Sequence, residues 1–274
     1  MASDLNRLAR LALYLGAVAL AALAQANDVS TNVPTKVSPA LQSKPKPKIA
    51  VVIDDLGQSK NHNTFAALKL PLTLAIMPFT PNAEQLAGQA TAQGHEVIIH
   101  MPMQAEQQPQ QQQGVLDEAD TKAQFIATLS AAVSRVPQAV GLNNHQGSKL
   151  TAAETQMQWL MAELKQQSLY FLDSRTTVAT VAEHTARDYG VATQRRHVFL
   201  DNDASAAAIA EQWQQALRVA EKQGFAVVIG HPYPTTLAFL QQLSSSTLET
   251  VDLVYLSQLI TAPHQVDVAH STAD

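Results

Sequence analysis

Seven short apolar runs, each ending in a polar cluster and followed by a longer amphipathic stretch, leave this chain of 274 residues few ways to fold. The runs cover residues 49–53, 72–77, 96–99, 139–142, 169–172, 197–200 and 225–229. None alternates cleanly between apolar and polar, which is the pattern of strands covered on both faces in a parallel sheet. Helical stretches are predicted between and after them, over residues 63–69, 82–93, 121–134, 152–167, 178–189, 204–223 and 235–243. In the third, Phe125, Leu129, Ala132 and Val133 share one helical face. In the fourth, Thr151 followed by Glu154 has capping-box spacing and predicts the helix start there. Seven strand-helix alternations favour a parallel barrel or a doubly wound sheet.

The ends of the chain carry a different message. Residues 1–26 place Arg7 and Arg10 before an apolar run over 11–24, with Ala24 and Ala26 as the small residues of a cleavage site. That is the pattern of a secretory signal peptide. The run falls short of the roughly 20 apolar residues a spanning helix needs, so no stable membrane span is expected after cleavage. A periplasmic or secreted location follows as an expectation. Residues 27–47 contain Pro34, Pro39, Pro45 and Pro47 among scattered lysines, with no apolar periodicity, and read as an extended linker. One domain over 48–263 and a polar tail over 264–274 complete the expected organisation, a length that α/β barrels reach undivided.

Composition narrows the chemistry. Cysteine is absent, so disulfide scaffolds and thiolate metal sites are excluded, leaving histidine and carboxylate as the strong ligands. Residues 49–274 hold 12 Lys and Arg against 21 Asp and Glu, a net charge of −9. An acidic body argues against nucleic acid or anionic lipid as partner and is compatible with a neutral or cationic substrate. The glutamine-rich stretch from Gln104 to Gly114 is expected to be a surface loop, or else a lid.

Parallel strands present functional side chains at their carboxyl ends, where barrel enzymes build their sites. Asp54 and Asp55 end the first run, His100 the third, Asn143, Asn144 and His145 the fourth, Asp173 and Arg175 the fifth, and His231 the seventh, with Tyr233 two residues on. Each has an ordinary structural explanation: a helix cap or turn for the aspartates, a hydrogen-bonded core residue for the histidines, an ion pair for Asp173 with Arg175, and a proline-rigidified turn around His231. Their collection on one rim favours chemistry. Two histidines and a carboxylate give three ligands with a position left open, the composition of a catalytic zinc site. A neighbouring carboxylate can take a proton from water, and a histidine across the rim can protonate a leaving group.

With "VVIDDLG", "IIHMPM", "GLNNHQGS", "FLDSRT" and "VVIGHPYP" in this order, the chain resembles the divergent branch of the NodB-like polysaccharide deacetylase superfamily from Lys48 to about Ile260. The resemblance implies a single-domain, distorted parallel (β/α)7-type barrel that removes N-acetyl groups from amino sugars with a divalent metal, usually Zn2+. Carried onto this sequence, it makes Asp54 the base, Asp55 and His100 metal ligands, His231 the acid, and Asp173 the residue that tunes or orients the catalytic groups. Typical members carry a second histidine four residues beyond the first; here that position is Gln104, which leaves His145 as the candidate third ligand. An arginine-containing motif on the fourth strand is replaced by Asn143 and Asn144, which would bind substrate or support a ligand. Arg175 with Asp173 would position His231 or Asp54, and Tyr233 would contact substrate. The implied partner is a glycan, such as one derived from peptidoglycan. The other reading from the sequence is a catalytically silent envelope protein that keeps the fold to bind a glycan or a protein.

Overall fold

A computed structural model describes residues 45–107, 113–243 and 249–260. The expected signal peptide, the linker up to residue 44, part of the glutamine-rich loop and the polar tail lie outside the described residues. Within them the chain alternates as the apolar runs predict: β1 (Lys48–Leu56), α1 (Asn63–Ala66), β2 (Leu72–Ile76), α2 (Ala83–Ala92), β3 (Glu96–Met103), α3 (Lys122–Arg135), β4 (Gly141–Gln146), α4 (Glu154–Gln166), β5 (Tyr170–Asp173) and α5 (Ala182–Asp188). There follow β6 (Thr193–Arg195), β7 (Val198–Phe199), α6 (Ala206–Gln223), β8 (Phe225–Gly230), α7 (Pro234–Gln241) and β9 (Asp252–Val254).

The nine strands form one sheet in the order β6-β5-β4-β3-β2-β1-β8-β7, with β9 beside the start of β1, and every pairing is parallel. The sheet curls until its two outer strands are consecutive in the chain. Arg196 N–H donates to the Asp173 carbonyl at 2.9 Å, and the next residue, His197, donates to the Val227 carbonyl at 2.9 Å. Residues 193–199 therefore bridge β5 and β8, giving a distorted barrel in which the sixth strand is broken in two. Two strands were not evident from the apolar runs: β6 is polar, and β9 is only three residues long.

Strand parity divides the apolar residues into two layers. Ala50, Val52, Ala75, Ile98, Tyr170, Leu172, Val227 and Ile229 point into the barrel. Their odd or even neighbours, among them Val51, Ile53, Leu74, Ile99, Leu142, Phe171 and Val228, face the helices. The longest helix, α6, shows how the outer layer is made. Ser205 caps it by accepting from Ala208 N–H, Gly224 ends it at φ 93°, and Ile209, Trp213, Ala216 and Ala220 form its buried stripe.

One local expectation fails. Thr151 does not cap α4, because its hydroxyl donates to the Gly147 carbonyl at 2.8 Å inside a short 3-10 turn over Leu150–Ala152. The helix begins at Glu154 with Ala153 in the cap position and no side-chain cap. A capping box does form at α3, where Thr121 accepts from Gln124 N–H and the Gln124 side chain accepts from Thr121 N–H.

Candidate metal centre and active site

The inward columns of the barrel continue upward into the reactive residues. Ala50 and Val52 lead to Asp54, Ile98 leads to His100, Val227 and Ile229 lead to His231, and on β4 Asn143 and His145 share the inward face. Register fixes their neighbours: His100 pairs with Asn143, and Pro102 with His145. Adjacent residues of a regular strand face opposite ways, so Asp55 should point outward beside Ile53. A bulge prevents this. Ile53 pairs with Leu74 and Leu56 with Ile76, so three steps of β1 match two of β2, and Asp55 takes the left-handed φ of 57°. The extra residue brings both carboxylates to the same mouth.

There Asp55 Oδ1 lies 2.8 Å from His145 Nδ1 and 3.1 Å from His100 Nε2, and the two nitrogens lie 3.1 Å apart. These three atoms form a triangle whose edges approach the ~3.3 Å expected between ligands of a tetrahedral ion held at about 2.05 Å. Asp55, His100 and His145 are thus a possible metal site, and their ligand types suit zinc. The imidazole orientation supports the same use. His100 Nδ1–H donates to Asn143 Oδ1 at 2.8 Å, which leaves Nε2 facing Asp55. The Asn143 amide is itself fixed, because its NH2 donates to Asp54 Oδ1 at 2.9 Å and to Ser174 Oγ at 3.2 Å. An outer partner of this kind sets the tautomer and direction of a ligating histidine.

The electrostatics favour positive charge at this point. Burial works against a charged His100, yet the Asp54 carboxylate and the hydrogen bond to Asp55 lift its pKa to about 9. Burial also pushes Asp55 upward, but hydrogen bonds and charge from His100 and His145 hold it well below the usual carboxylate range. Asp54, with Oδ2 3.7 Å from His100 Nε2, is raised because burial outweighs the lowering by His100, His231 and Asn143. A raised carboxyl beside a depressed one separates a proton acceptor from a ligand. Asp55 and His145 line an open cleft of about 400 Å³ with Gln58, Met77, Phe79, Thr80, Pro102 and Gln113.

His231 stands on the opposite side, held by a residue the sequence reading missed. Asp201 follows β7, is buried, accepts from His231 N–H at 2.6 Å and Thr236 Oγ1 at 2.6 Å, and contacts His231 Nδ1 at 2.7 Å. Burial lowers the imidazole, but the Asp201 hydrogen bond and the Asp54 charge raise it overall. The signal was present in "HVFLD": Asp201 ends the sixth apolar run as other carboxylates end theirs. Its inward parity follows from Phe199, which packs against the barrel interior.

The remaining sequence candidates divide. Asp173 has outward parity with Phe171, so it turns from the barrel mouth; its carboxylate accepts from Arg175 N–H at 2.8 Å and Thr180 Oγ1 at 2.9 Å. His231 is gripped by Asp201, and Ser174, which accepts from the Asn143 amide, is the inward residue of that strand end. Arg175 takes φ 49° beyond β5 and is half-buried. Asn143 and Asn144 are buried, and Asn143 supports His100. The amide of Asn144 donates to the Gln146 carbonyl and accepts from Ser174 N–H, so it braces the rim. Tyr233 is exposed, its ring 5.8 Å from that of His231, at a position open to substrate. Gln104 accepts from Glu118 N–H at 3.1 Å and fastens the following loop.

Known proteins share this architecture. A crystal structure of a protein from Agrobacterium tumefaciens superposes with a TM-score of 0.75 at 19% identity, covering 79% of this chain and 90% of that one. The catalytic domain of a peptidoglycan N-acetylglucosamine deacetylase from Eubacterium rectale does so with a TM-score of 0.50 at 13% identity, covering 80% and 93%. These likenesses establish the NodB-like fold. In sequence, YibQ of Escherichia coli K12 is 37% identical over 223 residues, 81% of this chain and 70% of that protein. A Haemophilus influenzae protein is 37% identical over 213 residues, 77% of this chain and 76% of its own length. The divergent polysaccharide deacetylase profile matches residues 51–260, and the chain belongs to that family.

Proposed function

We propose that this protein is an exported, metal-dependent hydrolase that removes N-acetyl groups from an amino-sugar polymer of the cell envelope, with peptidoglycan fragments as the leading substrate. The observation that carries this reading is the convergence of Asp55, His100 and His145 within 3.1 Å of one another, with Asp54 tied to the same cluster through Asn143. A divalent ion there, zinc by ligand preference, would polarise an acyl carbonyl and lower the pKa of the attacking water to about 7. Asp54 takes the proton from that water, a role suited to a carboxyl raised by burial. His231 gives its proton to the departing amine, and Asp201 holds its ring and favours the charged form from which that proton comes. Acetate and a free amino sugar are the products.

Family and fold are those of polysaccharide deacetylases, which supports a glycan substrate. The amino-terminal pattern supports export, and among the described residues no helix is long and apolar enough to cross a membrane. The test is acetate release from N-acetylated glycan oligomers by the purified 48–263 domain, with elemental analysis alongside Asp55→Ala and His145→Ala variants. Stoichiometric metal and acetate release, both lost in each variant, are expected. Unchanged metal content in both variants would overturn the ligand set. Bound metal with no acetate from any acetylated glycan would favour the silent binding protein.

A further inference from the structure

The sequence shows one cation on the reactive rim, Arg175; the structure brings a second beside it. Arg196 lies in the segment that closes the barrel between β6 and β7. Its Nε–H donates to the Ser174 carbonyl at 2.7 Å and Nη2 donates to the Arg175 carbonyl at 2.9 Å, while the guanidinium lies 3.6 Å from the centre of the Phe199 ring. Phe199 in turn stacks on His231 at 6.0 Å. The guanidinium therefore lies no further from the His231 ring than the sum of those two distances. On its other flank, Ser174 Oγ accepts from the Asn143 amide that also holds Asp54. Arg196 is thus fixed between the proposed acid and the proposed base without bonding to either.

Its donor inventory is incomplete. A guanidinium has five N–H groups, and the two hydrogen bonds of Arg196 end on backbone carbonyls rather than on a carboxylate. Among the described residues neither Arg175 nor Arg196 has a carboxylate within 4.0 Å, whereas Arg135, Arg187 and Arg195 are each paired with a glutamate. Burial, together with the charge of Arg175, lowers the pKa of Arg196 to about 10 against the opposing pull of the Asp173 and Asp54 carboxylates. In a body of net charge −9, an unpaired and mutually repelling arginine pair at a catalytic mouth is an arrangement that an anion would relieve.

We propose that Arg175 and Arg196 form a subsite for a carboxylate carried by the glycan, next to the N-acetyl group that is removed. A planar carboxylate matches the guanidinium fork, and the acidic body penalises a dianionic phosphate more heavily than a monoanion. The proposal rests on the deacetylase reading and names its substrate class as an acidic glycan. It departs from the neutral or cationic substrate that composition suggests, because Arg175 and Arg196 place two cations side by side in a domain of net charge −9.

The test uses a tetrasaccharide of alternating N-acetylglucosamine and N-acetylmuramic acid, whose lactyl groups are carboxylates, and the methyl ester of the same compound. Binding is measured by calorimetry and turnover by acetate release. The metal-loaded protein is expected to bind the acid at least 10-fold more tightly than the ester. That ratio should fall towards one in Arg196→Gln and in Arg175→Asn, the latter keeping a residue tolerant of positive φ, and be partly retained in Arg196→Lys. Equal affinity for acid and ester, or a ratio unchanged in both charge-removing variants, overturns the subsite. Preferential binding of the acid without acetate release upholds it and overturns the deacetylase reading, while hydrolysis that ignores the charge does the reverse.

Discussion

Replacing Asp201 by asparagine removes one charge from beneath His231 with almost no change in shape. In the wild type, one carboxylate oxygen meets His231 Nδ1 at 2.7 Å and the other accepts from His231 N–H and Thr236 Oγ1, both at 2.6 Å. A hydrogen bond to a charged group contributes about 1.5–3 kcal/mol. At 1.36 kcal/mol per pKa unit, losing it should lower the His231 midpoint by about 1–2 units. The sign follows from the cause: Asp201 favours the imidazolium, so its loss favours the neutral ring. The asparagine also has only one oxygen for three donors, and its NH2 faces N–H and O–H groups, which costs about 1–3 kcal/mol of stability. Because the native midpoint is raised, His231 contributes stability fully present below the unfolded value of about 6.5 and lost as pH rises through the folded midpoint. The stability gap between wild type and Asp201→Asn should therefore narrow with rising pH. Histidine-selective NMR titration reads the midpoint without any assumption about substrate, and Thr236→Val, which removes a donor but no charge, is the control. A His231 midpoint in Asp201→Asn at or above the wild-type value would refute the reasoning, even if the variant proved unstable.

Three other outcomes follow from the geometry. Asn143→Ala removes the acceptor that orients His100 and one donor to Asp54, so metal affinity should fall about 10–100-fold in chelator competition; unchanged affinity would deny Asn143 that role. Gly57→Ala forces a side chain into φ 108° with its Cβ 2.3 Å from Thr80 Oγ1, and urea denaturation should show a loss above about 1 kcal/mol, only partly restored by Thr80→Ala. Thr121→Ala should cost about 1 kcal/mol through loss of the α3 cap, whereas a comparable capping loss at Thr151 is not expected, since Thr151 caps no helix.

The apolar runs disclosed the fold because parallel strands buried on both faces need a concentrated apolar signal. They disclosed less where the signal was short or local. β6, with Gln194 and Arg195 among its three residues, has no such run, and Thr151 had the right spacing for a cap but a nearer carbonyl for its hydroxyl. The candidate metal triad was legible because its three members, one aspartate and two histidines, stand at the ends of their runs. Asp173 and Asp201 show the limit of that rule. Both close an apolar run, but only parity decides which of them faces the mouth, and parity is fixed by neighbours in the core: Phe171 packs outward below Asp173, Phe199 inward below Asp201. Arg196 was invisible for another reason. Its place beside Arg175 comes from barrel closure, a contact between segments that local sequence does not encode.

The bulge at Asp54 and Asp55 joins fold to chemistry most directly. A regular strand can offer the mouth only one of two adjacent carboxylates; an inserted residue offers both, in unequal surroundings. Asp54 stays in the buried inward column, while the side chain of Asp55, turned at φ 57°, remains about a third exposed at the cleft. Gln146 and Arg175, at φ 54° and 49°, share the left-handed region beside the carboxyl ends of β4 and β5. Such residues cost about 1–2 kcal/mol each; of the four non-glycine cases among the described residues, three stand around this opening and Ser168 lies before the start of β5. The closed layers of Ile, Leu, Val and Phe below hold the strand ends in register, and that rigidity lets the rim keep conformations it would not adopt alone. The strain at Asp55 and the split between a raised and a depressed carboxyl thus share one origin, since three residues of β1 stand where two would otherwise fit, while the β3–β4 register brings the two imidazoles to meet them.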